Sequence, residues 1–118
     1  MDIDKAILSF SQSEKIKEGL IWSSQLLNIL QGMTFEEKKG SEKIISTLIN
    51  MIGSEIKLIS KVSGDERWEG IESLTDKAVV MIESGVSQEA SIHLSQALSK
   101  VTNIGQQSMM ILKENDLL

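Results

Sequence analysis

The chain has a single histidine, His93, which stands four residues after Glu89. On a helix that spacing stacks an imidazole and a carboxylate one turn apart on one face, which is a fragment of a metal site. A dinuclear bundle centre would need a carboxylate from each of two helices and a Glu-x-x-His from each of two more, and a catalytic zinc site needs three protein ligands. One further carboxylate is set among apolar residues. Glu55 has Ile52, Ile56 and Ile59 as neighbours and no lysine or arginine three or four positions away, so it must meet a partner on another helix, line a pocket or reach solvent. A small-molecule or metal site between helices around Glu55 is one expectation that follows.

Other chemistry is thinly represented. Glu36 and Glu37 are adjacent and so do not share a helix face; they read as first-turn carboxylates that complement the helix dipole. No glycine-rich phosphate loop is present. Cysteine is absent, which removes disulfides, thiol catalysis and cysteine-ligated metals. The single arginine, Arg67, cannot build guanidinium clamps for a polyanionic substrate, and no serine, lysine or carboxylate grouping supplies a nucleophile with its base. The leading expectation is a non-enzymatic protein with no cofactor.

The element that would position Glu55 is a helix over Ser41 to Val62, and it carries more apolar surface than one core needs. At 100° per residue, Ile45, Leu48, Ile49, Ile52, Ile56 and Ile59 form a core-facing stripe. Ile44, Met51 and Leu58, spaced by seven, lie beside it and widen the apolar arc to roughly 180°, against about 100° for an ordinary surface helix. Lys39, Lys43, Lys57 and Lys61 take the opposite side, either as a solvated face or to meet an acidic neighbour. Either the second line contacts a partner or the helix is central and every apolar position is satisfied internally.

Turn and cap signals divide the rest. Ile3, Ala6, Ile7 and Phe10 are out of phase with Ile16, Leu20, Leu27 and Leu30, and Ser11 with Glu14 reads as a capping box. Either a short N-terminal arm precedes a first helix or one long helix bends there; the arm is the favoured expectation, with the helix running to about Gln31 and stopped by a left-handed Gly32. Thr34 with Glu37 opens the second helix, which ends at Gly64. Asp65 caps a third, with Trp68, Ile71, Leu74, Ala78, Met81 and Ile82 inward, ending at Gly85. Ser87 caps a fourth, with Ala90, Leu94, Ala97, Val101, Ile104, Ser108 and Ile111 inward at coiled-coil-like spacing. Four amphipathic segments joined by tight turns predict an all-α fold, an antiparallel up-down four-helix bundle, over one domain of residues 1–118.

Composition agrees. Proline is absent from 118 residues, where average usage would give about six, as suits helices joined by glycine and serine turns. The net charge of −5 lacks the basic footprint of a nucleic-acid binder. No apolar run approaches a membrane span, and the acidic start MDIDK is unlike a secretory signal, so the expected address is the cytoplasm. Helix four has only Glu89 and Lys100 as full charges between Gln88 and Leu112, with Ile92 and Met110 on its expected outer side. Charge depletion is a property of interface cores. The expected contact residues are therefore Ile44, Met51, Glu55 and Leu58, with help from Ile92 and Met110. The expected partner is a second copy or another helical protein, not nucleic acid or a membrane.

Two resemblances bear on function. Acidic four-helix bundles of about this length also serve histidine phosphotransfer, whose motif has lysine and glycine three and four residues after the histidine; here those positions are Gln96 and Ala97. Trp68-Glu69-Gly70 resembles the Trp-x-Gly turn of the small dimeric helical-hairpin proteins of the type VII export pathway. That resemblance implies a secretion-linked adaptor or chaperone. It covers three residues, and the tail KENDLL has no tyrosine for that family's export signal.

Overall fold

Four helices make up the computed structural model, which describes residues 1–118: α1 (Ile3–Gln31), α2 (Phe35–Ser63), α3 (Arg67–Glu83) and α4 (Ser87–Glu114). The links between them are three residues each, too short for anything but antiparallel neighbours. α1 packs on α2 and α4, and α3 packs on the same two. The result is an up-down four-helix ring with α1 diagonal to α3 and α2 diagonal to α4, about 53 Å long and 22 by 18 Å across. No helix is long and apolar enough to cross a membrane.

The turns show which local signals are strong. Thr34 and Glu37 form a complete capping box: Thr34 Oγ1 accepts from the Glu37 N–H at 3.3 Å, and Glu37 Oε1 accepts from the Thr34 N–H at 2.8 Å. The bond from the Thr34 N–H, with a smaller contribution from the Thr34 side chain, holds the Glu37 carboxyl below its ordinary pKa. Gly64 has φ 67° and Gly85 φ 80°, left-handed positions that glycine fills without a Cβ penalty.

Five expectations are corrected. There is no separate arm: α1 is continuous from Ile3, capped by Asp2, whose side chain accepts from the Lys5 N–H at 2.8 Å. The apparent break in phase arises because the buried face near the N-terminus is Ala6, Ser9 and Ser13, while Ile3 and Ile7 point outward. A core stripe written in serine is invisible to a search for apolar periodicity. Gly32 ends α1 in a right-handed conformation, φ −87°, its N–H donating to Ile29 O at 3.1 Å, so the turn tightens without a left-handed residue. Asp65 lies one residue too early to cap α3; its carboxylate accepts from the Arg67 N–H and binds the Arg67 guanidinium. Ser87 is the first residue of α4, buried, its Oγ accepting from Gln31 Nε2 at 3.3 Å. At the far end of α4 the core position has drifted to Leu112, leaving Ile111 half-buried, as a 3.6-residue period requires.

The core combines isoleucine and leucine with a single fully buried tryptophan, Trp68. Eight serine and threonine side chains are also buried. Several return their hydroxyl to their own helix, as Ser23 does to Gly19 O and Ser108 to Ile104 O, both at 2.8 Å. Such small side chains let backbones approach. A Cβ built on Gly105 of α4 would lie 2.8 Å from Ser13 Oγ of α1, so these two helices cross in near contact.

Candidate functional site

On α2, Ile44, Met51 and Leu58 are 71%, 61% and 56% exposed. The second apolar line is thus not absorbed by the bundle, and the reading of α2 as a central helix with every apolar position covered does not hold. The line lies on the side of α2 next to α1. There it runs beside a matching line that sequence reasoning missed: Leu8, Lys15, Trp22 and Ile29 of α1, also spaced by seven. Trp22 is 59% exposed, and Leu8, Leu26 and Ile29 are exposed as well. The seven-residue spacing is the signal that could have found it, but the phase of the α1 core stripe masks a second line on the same helix.

Glu55 sits between the two lines. Its Oε1 accepts from Lys15 Nζ at 2.9 Å and its Oε2 from Gln12 Nε2 at 3.1 Å, both on α1. The carboxylate among isoleucines has therefore found a cross-helix partner at the surface. These bonds, Lys15 first, hold the Glu55 carboxyl below the usual glutamate value against a smaller desolvation effect. On the turn-ward side of this pair a groove of about 390 Å³ opens between the helices, lined by Gly19, Trp22, Leu48, Met51 and Ile52 with Lys15 and Glu55 at its edge. The α1 backbone is close to α2 here, since a Cβ on Gly19 would stand 3.1 Å from Ile52 Cδ1. On the other side Leu8, Leu58 and Val62 surround a second, smaller depression.

Ile92 and Met110 are exposed too, but on the outer side of α4. Because α4 is diagonal to α2, these two residues cannot share one flat contact face with Ile44, Met51 and Leu58. They stand 18 positions apart on α4 as isolated apolar side chains, which are ordinary on a protein surface. His93 is also on α4, with Nδ1 buried and unpartnered, and it does not converge with Glu55. No three histidine, aspartate or glutamate side chains come together in a metal-holding group. Of the lysine line on α2, Lys57 reaches Glu72 of the acidic α3 at 3.6 Å. Trp68 of the Trp-Glu-Gly string is buried in the first turns of α3 and not in a turn between helices.

The Lys15–Glu55 pair is directly testable. Glu55 gains from its partner only while ionised, so the contribution is full above the ordinary glutamate pKa and is lost as pH falls through the lowered folded value. In carboxyl-detected NMR, Glu55 is expected to titrate below the usual glutamate value, and Lys15→Met is expected to move its midpoint upward. An unchanged midpoint would show that the pair is not populated in solution.

The chain matches no protein-family model, no curated protein and no solved structure at a significant level.

Proposed function

We propose that this protein is a non-enzymatic cytoplasmic bundle that works by associating with a second copy of itself through the face shared by α1 and α2. The observation that carries this reading is the pair of exposed seven-residue lines, Leu8, Trp22 and Ile29 on one helix and Ile44, Met51 and Leu58 on the other. Six large apolar side chains, all but Leu8 more than half exposed, make this face a few hundred square ångström of apolar surface. Even divided by the Lys15–Glu55 pair, that is comparable to the largest apolar patch of a typical monomer, which is often functional. An exposed tryptophan at its centre is the residue type most enriched among binding hot spots. α4, although poor in charge, presents only scattered apolar residues and contributes to the fold.

Sedimentation velocity across a concentration series tests this reading. The wild-type chain is expected to double in mass with rising concentration, and Met51→Asp or Leu58→Asp to weaken that association by about 30-fold or more, the effect of losing a hot spot of about 2 kcal/mol. Because both residues are exposed in the single chain, melting of the dilute protein should stay within about 0.5 kcal/mol of wild type. Acrylamide quenching gives a second readout. Trp68 is fully buried and Trp22 is not, so quenchable emission comes from Trp22 and should fall as the face is covered. A wild-type chain that remains monomeric at millimolar concentration would overturn the proposal.

A further inference from the structure

The self-association just proposed has an arrangement that the distribution of charge along the face selects. Lys15 and Glu55 lie level with each other, and they divide the face unequally. Toward the α1 N-terminus is a short apolar block of Leu8, Leu58 and Val62. Toward the α1–α2 turn is a longer one of Trp22, Leu26, Ile29, Ile44 and Met51. When two identical faces meet in a closed dimer the same patch is used on both sides, and the two-fold axis lies in the contact plane, running either across the helices or along them.

An axis across the helices reverses the order of the blocks and lays α1 on the partner's α1. Centred on the charges, it sets Lys15 against the partner's Lys15 and Glu55 against the partner's Glu55, with the long apolar block over the short one. Centred elsewhere, it presses the ion pair of each copy onto apolar side chains, at the cost of desolvating charge without a new partner. An axis along the helices keeps every residue at its own level. Long block then meets long block, short meets short, and α1 lies antiparallel on the partner's α2, repeating the α1–α2 contact within each chain.

We infer that the partner is a second copy related by a two-fold axis parallel to the helices, with Lys15 opposite the partner's Glu55. The four charges form a ring of alternating sign, so each carboxylate has a lysine on both sides. Such a polar element inside an apolar seam sets register and orientation more than affinity. The available area suits a dimer. From Leu8 to Ile29 the face is about 32 Å long at 1.5 Å per residue. With a width near that of the bundle, 22 Å, each copy offers a footprint of about 700 Å², close to the roughly 800 Å² per partner of a standard stable interface.

Mixing wild-type chain with a mass-tagged Lys15→Glu/Glu55→Lys double variant separates the arrangements. The variant keeps an ion pair within itself and an alternating ring with its own copy, so it should self-associate within about threefold of wild type. In a mixed dimer with the axis along the helices, the wild-type Lys15 faces the lysine that the variant carries at position 55, and the wild-type Glu55 faces the glutamate that it carries at position 15. Like charges in contact disfavour it, and native mass spectrometry should show the heterodimer at least about tenfold below its statistical share. A heterodimer at the statistical share would remove the charge ring from the interface. A heterodimer in excess would place the axis across the helices, and a variant that cannot self-associate would also overturn the arrangement. A monomeric wild type would instead overturn the self-association on which this inference rests, a failure visible before any mixing.

Discussion

Trp68→Ala is expected to lower the unfolding free energy by about 3–5 kcal/mol, the range for removing a large buried aromatic side chain. For a chain of this length that corresponds to roughly 10–20 °C in melting temperature. Trp68 is the largest fully buried side chain, and it stands in the first turns of α3, the shortest helix at 17 residues. Losing it leaves a cavity that the surrounding core side chains cannot close without shifting their own helices. The paired variant is informative because the Trp68 indole N–H is buried without an acceptor. Trp68→Phe retains most of the ring volume and deletes that unsatisfied donor, itself a cost of about 1–3 kcal/mol. It should therefore destabilise far less than alanine. Chemical denaturation with both variants checks this; equal losses would show that the indole N–H is satisfied in solution.

The second large effect lies where α1 and α4 nearly touch. Alanine at Gly105 would bring a Cβ to 2.8 Å from Ser13 Oγ and 3.4 Å from Ser13 Cβ. The Ser13 hydroxyl is already committed to Phe10 O at 2.9 Å, so the clash is not relieved by turning a free side chain. Gly105→Val adds two methyl groups at that point and is expected to cost about 3 kcal/mol, the upper part of the range for overpacking, despite the gain from removing a mid-helix glycine. Gly40 provides the control, since a Cβ there meets nothing within 4 Å. Gly40→Ala should stabilise the protein by about 0.5–1 kcal/mol. Urea unfolding of the two variants tests the difference in sign; a stable Gly105→Val would mean that the helices stand further apart.

Features that leave a local chemical trace were readable from the amino acids. The Thr34–Glu37 box, the glycines at 64 and 85 and the isoleucine stripe of α2 each depend on neighbours within a turn or two, and each is present in the structure. The continuity of α1 was not readable, because Ser9 and Ser13 fill core positions that an apolar pattern leaves blank. The partner of Glu55 depends on how α1 slides along α2, a tertiary quantity that no spacing encodes. Ring order is of the same kind: Ile92 and Met110 share apolar character with the α2 line, yet α4 lies diagonally across from it. The width of the α2 arc was legible, but the identity of the helix beside it was not. For that reason Lys15 and Trp22 could not be joined to it from the amino acids alone.

The ring order also governs how the chain reaches this state. Every substantial helix–helix contact except that between α1 and α4 joins elements adjacent in the chain, and three-residue links leave little entropy to lose in bringing them together. Hairpins can form early from local contacts, and only the closure of α4 onto α1 brings distant parts of the chain together. That closing contact is also the most extensive of the four, so completing the ring requires closing a loop that spans most of the chain. The α1–α2 face, by contrast, lies within one hairpin of adjacent helices, so local contacts alone lay it down before the ring closes.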